Sequence, residues 1–206
     1  MHDVTRRSLL KHSIAITGLT ALSPYAASAV LTPRATEGPF YPRQSMRFDD
    51  IDNDLVKVLG TLKKAGGDII HLQGTIRSKA GQPLAGHRIE IWQCDVNGKY
   101  LHPGDNRNFP YDTGFQGFGH DITDAEGAYH FRTIKPTTYP GRTPHIHVKV
   151  FDGQRELLTT QFYIADEPQN KSDRIFRRLS AQEAQSVSMV FVEDKGTVTT
   201  NVDLVV

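Results

Sequence analysis

The sequence is poor in sulfur, in long apolar runs and in net charge. It has one cysteine and one tryptophan in 206 residues. A single thiol excludes an intrachain disulfide framework and any cysteine-rich zinc or iron–sulfur centre. Twenty-four Lys and Arg stand against 23 Asp and Glu, a formal charge of +1, which gives no electrostatic case for nucleic-acid binding. The most apolar early stretch, residues 14–22, is interrupted by Thr17, Gly18 and Thr20 and is too short to cross a bilayer. With 38% hydrophobic and 23% charged residues, the chain is neither disordered nor collagen-like, and its length suits one domain. What it does have is nine histidines and seven tyrosines.

Residues 1–29 read as a leader. A polar, basic start with Arg6-Arg7 precedes the apolar run, and Ala27-Ser28-Ala29 supplies the small residues of a cleavage site. Thr5-Arg6-Arg7-Ser8-Leu9-Leu10-Lys11 resembles a twin-arginine signal, which exports folded proteins and so predicts a periplasmic or secreted protein. Residues 30–69, with Pro33, Pro39 and Pro42 and an acidic stretch at 49–54, predict an extended arm with one helical turn near 55–62.

From about residue 70 a period of two takes over. Strands are predicted at 71–77, 88–94, 128–132, 145–151 and 157–164, separated by Gly- and Pro-rich turns. The clearest alternation closes the chain, with Val198, Thr200, Val202, Leu204 and Val206 on one face. Only residues 171–184 carry a helical spacing, Ile175 and Leu179. The expected fold is all-β, an antiparallel β-sandwich over residues 70–206 with an N-terminal arm and one short helix.

His145-Ile146-His147 is the sharpest chemical feature. On a strand, residues i and i+2 share a face about 6.6 Å apart, so both imidazoles can reach one metal while Ile146 and Val148 face the core. Six residues upstream, Tyr139 lies in a loop stiffened by Pro136 and Pro140, and Arg142 places a permanent cation beside it. Two imidazoles with phenolates form a donor set suited to ferric iron rather than zinc. Tyr100, closing the turn after strand 88–94, is the natural second phenol, although residue types alone do not choose it over Tyr111 or Tyr129. Tyr129, alternating with Ala128 and His130, is expected to pack. Trp92 and Cys94 are expected in the core.

Residues 89–100, residues 114–147 and the arm Thr36-Glu37-Gly38-Pro39-Phe40-Tyr41-Pro42 resemble the intradiol ring-cleavage dioxygenases, a family of non-haem ferric enzymes. Each motif is loose, but four in order at fitting spacing are specific. The resemblance implies one Fe(3+) per chain held by Tyr100, Tyr139, His145 and His147. It implies catalytic roles for Arg142, Tyr139 and Gln161, and places Thr36 and Pro39 at the substrate pocket. It further implies O2-dependent cleavage of a catecholic small molecule between its hydroxyl carbons to a cis,cis-muconate-type product, and a homo-oligomer without a membrane span. Between Tyr139 and Arg142 stand only Pro140-Gly141, shorter than in protocatechuate enzymes, which implies a more open pocket wall.

Two other classes suit the same residues. A copper/zinc superoxide dismutase would need further histidines at ligand spacing, which His71, His87, His102, His120 and His130 do not provide, and normally a disulfide. A non-catalytic sandwich module is suggested by residues 78–86, which resemble a transthyretin-like hairpin; that is a likeness of fold only.

Overall fold

A computed structural model describes residues 30–206 apart from Phe48 and Asp50, so the leader lies outside the described residues. Two five-stranded sheets face each other. In the first, β1 (Ile69–Arg77) pairs with β4 (Ala128–Ile134) on one edge. On its other edge lie β9 (Thr197–Asn201) and β10 (Leu204–Val205), and β8 (Val192–Asp194) pairs with β9. In the second sheet the order is β3 (Phe118–Ile122), β2 (Arg88–Trp92), β5 (His145–Asp152), β6 (Arg155–Ile164), β7 (Ser188–Met189). The sandwich is the expected one. Its sheets are mixed, however, because β1 meets β9 and β10, and β6 meets β7, in parallel.

The alternation of apolar residues explains the two layers. Ile70, Leu72 and Ile76 of β1 and Phe131 of β4 face Ile89 and Ile91 of β2, Ile146, Val148 and Val150 of β5, and Phe162 of β6. All of these are completely buried. Gly74 lets the C-terminal strands close on β1: a Cβ there would stand 2.0 Å from the Val202 carbonyl oxygen. Tyr129 packs as expected, and its hydroxyl donates to that same carbonyl at 2.6 Å.

Two predicted helical segments differ. No helix forms near residues 55–62. The Leu55 amide donates to Arg132 O at 2.9 Å and the Leu55 carbonyl accepts from Gln116 at 2.8 Å, so the backbone is already paired with the sandwich. Both Asp54 carboxylate oxygens accept from Arg132 Nη1, which ties the same segment to β4. Between residues 171 and 184 only α1 (Ala181–Ser186) is α-helical, preceded by 3-10 turns at Pro168–Lys171 and Phe176–Arg178. Asp173 Oδ1 captures the amides of Ile175 and Phe176, each at 2.9 Å, and stops a continuous helix. Ser180 and Glu183 then form a capping box that starts α1.

The arm runs across the second sheet of its own chain. Ala35 N donates to Thr159 O at 2.9 Å, and Lys149 Nζ pairs with Glu37 at 2.6 Å. With the segment 168–178 it covers the outer face of that sheet. This explains why β5 is buried on both faces from His145 to Val150.

Candidate metal centre

Strand β5 lies between β2 and β6, and the register sets Trp92, His147 and Gln161 opposite one another, with His145 opposite Tyr163. These side chains share the outer face of the sheet, beneath the arm. The odd residues of His145-Ile146-His147 therefore leave the intersheet core while Ile146 fills it.

The two imidazoles meet, their Nε2 atoms 3.1 Å apart and their rings 4.7 Å apart at 74°. His145 Nδ1 lies 2.6 Å from Thr143 O, a carbonyl, so Nδ1 must be the donor and Nε2 carries the lone pair. His147 stacks on Trp92 at 4.7 Å and 8°, and its buried Nδ1 has no partner among the described residues. Burial, and then the Arg142 cation, push the His145 pKa down from 6.5 to about 4. His147 falls well below 6.5 through burial and then the neighbouring His145 and Arg142. Both rings are neutral at physiological pH, the protonation state a metal requires.

The phenols approach from two loops. After β2, Asp95 Oδ1 accepts the amides of Asn97 and Lys99 at 2.9 Å each, folding a turn that delivers Tyr100. The Tyr100 amide donates to Asp105 at 2.8 Å. Its ring is buried, 6.1 Å from His147 and 5.6 Å from Tyr139, and Phe40 of the arm stacks on it at 4.7 Å. Burial raises its pKa well above 10. Tyr139 begins a turn in which Arg142 N donates to its carbonyl at 3.0 Å, and Gly141 supplies the positive φ of +80°. Tyr139 is half-buried, with the Arg107 guanidinium 5.4 Å from its ring centre. Tyr111 and Tyr129 instead donate to the carbonyls of Phe115 and Val202.

Arg142 Nη2 donates to Gln161 Oε1 and Nε donates to Asp173 Oδ2, both at 2.7 Å. Gln161 Nε2 in turn donates to Thr36 O at 2.9 Å, tying the arm to the site. Thr36 and Pro39 have exposed side chains. Between them Gly38, with φ +73°, reaches inward: a Cβ there would lie 3.3 Å from His147 Cε1. Of the remaining histidines, His71 and His130 stack on each other at 6.4 Å on the first sheet, far along the fold from this cluster.

The structure thus brings together Tyr100, Tyr139, Arg142, His145, His147 and Gln161. The sequence motifs include Gly38 and Phe40 without giving either a role, and do not include Arg107 or Asp173. Trp92 is buried as expected, in a second, smaller core cluster with Cys94, Tyr100 and Phe118. The neighbour relation of Trp92 to His147 becomes readable only once β2 is paired with β5. Cys94 is buried as expected, and burial pushes its thiol up to about 11.

The donor chemistry fits a ferric ion. Among the described residues no group of three or more His, Cys, Asp or Glu is gathered to hold a metal. The nearby phenols of Tyr100 and Tyr139 are hard oxygen donors, and with two imidazoles they make a donor set that suits trivalent iron. A shared ion also accounts for two buried imidazoles whose Nε2 atoms are held this close.

Comparison with known proteins agrees. The dioxygenase family model matches residues 36–203. The protocatechuate 3,4-dioxygenase beta chain of Burkholderia cepacia is 36% identical over 135 residues, 62% of this chain and 57% of that one. The catechol 1,2-dioxygenase of Candida albicans is 28% identical over 180 residues, 79% of this chain and 54% of that one. The chain thus spans little more than half the length of these relatives. Among solved structures, the dioxygenase domain of a dioxygenase–carbohydrate-binding protein fusion from Streptomyces sp. SirexAA-E superposes with a TM-score of 0.63 at 29% identity, over 86% of this chain and 98% of that domain. An intradiol ring-cleavage dioxygenase from Tetranychus urticae shares the fold, with a TM-score of 0.67 at 19% identity over 86% and 94%. On the extent of the family match and the agreement of relatives and fold, the chain belongs to the intradiol ring-cleavage dioxygenase family.

Proposed function

We propose that this protein cleaves the aromatic ring of a catechol between its two hydroxyl-bearing carbons, using O2, to a cis,cis-muconate-type product. The observation that carries this reading is the pair of neutral imidazoles with Nε2 atoms 3.1 Å apart, with the Tyr100 ring 6.1 Å from His147 and the Tyr139 ring 5.6 Å from that of Tyr100. Tyr100, Tyr139, His145 and His147 would hold the iron. A bound ferric ion supplies a Lewis acid that chelates the adjacent hydroxyls as their anions and makes the ring reactive toward O2.

The chain's own residues do the rest. Tyr139, half-buried on its loop, is the phenol free to move and take a proton at its Oη from a substrate hydroxyl. Tyr100 is clamped by Phe40 and Asp105 and stays in place. Arg142 presents a fixed cation to charge that builds on the substrate, held in one orientation by Gln161 and Asp173. Trp92 locks the His147 ring by stacking, and Thr143 O fixes the His145 tautomer. Gly38 and Phe40 bring the arm down over the site and keep bulk water from it.

The same reading takes residues 1–29 as a twin-arginine leader and the working protein as an exported homo-oligomer, which the mass of the mature chain and light scattering test. For the activity, oxygen uptake with catechol is measured alongside product absorbance in the ultraviolet. Replacing Tyr139 with Phe is expected to remove part of the visible colour of the iron-loaded protein and to slow substrate deprotonation. A variant matching the wild type in both respects would contradict the role given to Tyr139.

A further inference from the structure

We propose that Asp173 is a positioning residue for the reaction, acting through Arg142. The inference rests on the catalytic reading of Arg142. Asp173 lies well outside the sequence motifs of the site, on the segment between two 3-10 turns, yet its side chain is completely buried. Each of its oxygens has two donors. Oδ1 accepts the amides of Ile175 and Phe176 at 2.9 Å, which fixes the carboxylate to its own loop. Oδ2 accepts Arg142 Nε at 2.7 Å and Thr143 N at 3.0 Å, which fixes the site to that loop.

Arg142 therefore has two of its three guanidinium nitrogens held, Nε by Asp173 and Nη2 by Gln161. A planar group held at two nitrogens has one orientation. Asn170 supports the same bracket: its Oδ1 accepts Thr143 Oγ1 at 2.7 Å and its Nδ2 donates to Ile164 O at 2.9 Å. The segment 168–176 thus sets the geometry of residues 142 and 143 from outside the sheet that carries the histidines. Without Asp173 the guanidinium would keep only Gln161 and Tyr163 as side-chain partners.

The test is a double-mutant cycle in the iron-loaded enzyme. Asp173→Asn turns one carboxylate oxygen into a donor, so it cannot satisfy both pairs of donors. It is expected to lower kcat on the order of 10²-fold, the loss typical of a displaced catalytic group. In an Arg142→Gln background the same substitution is expected to cost nothing further. Two readouts besides turnover accompany it: the tyrosinate-to-iron band should remain, and the Kd of catechol, titrated without O2, should stay within about threefold. Losses that multiply in the double variant, or a band that disappears with Asp173→Asn, would overturn the proposal by showing a general structural role. Should Asp173→Asn not fold, Arg142→Lys reads the link from the other end, because one ammonium cannot span Asp173 and Gln161 together. Wild-type turnover in that variant would overturn the proposal. A wild-type protein with no colour and no oxygen uptake would overturn the catalytic reading itself, and this outcome is separable from the others.

Discussion

The iron-free protein should lose stability steeply as the pH falls from neutrality, and His145 is one of two named causes. Its imidazole is buried and beside the Arg142 cation, which lowers its pKa to about 4 in the folded chain against 6.5 for an unperturbed histidine. Between these values only the unfolded chain takes up the proton. The contribution is therefore complete above about 6.5 and is lost progressively as the pH drops toward 4. Integrated from about pH 7.5 to about pH 4.5, the two values give about 2.5 kcal/mol for this one group. His147, lowered in the same direction, adds to the slope. Urea unfolding of chelator-treated protein across that range, run beside His145→Gln, isolates the effect, because other acid-sensitive groups are common to both. The wild type should fall by about 2.5 kcal/mol more than the variant over the window. Parallel pH profiles would refute the claim that burial keeps this ring neutral and ready to bind a metal.

Other perturbations separate the scaffold from the site. Phe131→Ala empties a completely buried position between the sheets and should cost about 3–5 kcal/mol in chemical unfolding while leaving the iron spectrum unchanged. Ser180→Ala removes one half of the capping box of α1 and should cost about 1 kcal/mol with no change in turnover. Gly38→Ala sets a methyl group 3.3 Å from His147 Cε1 on a backbone with φ +73°, so oxygen uptake should drop and the visible band should shift, with a small loss in Tm. Acidification should release Asp173 only at low pH. Burial alone would raise its carboxyl, but the Phe176 amide, the Arg142 guanidinium and the Thr143 amide outweigh it and hold the pKa below 3.8. Its contribution therefore persists above the ordinary carboxylate range and disappears as the pH falls through the lowered value, which the pH profile of Asp173→Asn unfolding would reveal by its shallower acid limb.

What the sequence makes legible is local. Period-two alternation marks the strands, and an H-x-H pattern on one of them places two imidazoles on one face whatever surrounds it. The tyrosine loop and Arg142 lie within eight residues of His147 and are found by proximity. What escapes is set by pairing between distant segments. Strand β5 alternates His145, His147 and Lys149 with Ile146, Val148 and Val150, yet it is buried on both faces because its outer face is roofed by an arm more than a hundred residues upstream. Trp92 becomes a neighbour of His147 through the β2·β5 register, and Asp173 reaches Arg142 through a loop whose spacing resembles a helix. That spacing misleads because a side chain takes the backbone amides a helix would need. The capping-box residues Ser180 and Glu183, by contrast, are a local signal that marks the true helix start.

The central claim is a ferric site built from two phenols and two imidazoles, and the most direct test is optical. The visible absorption spectrum of the iron-loaded protein is recorded in air, and catechol is then added without oxygen. The account predicts a tyrosinate-to-iron charge-transfer band that moves to longer wavelength when catechol binds, and that Tyr139→Phe weakens. A protein that stays colourless with ferric iron and catechol would contradict it.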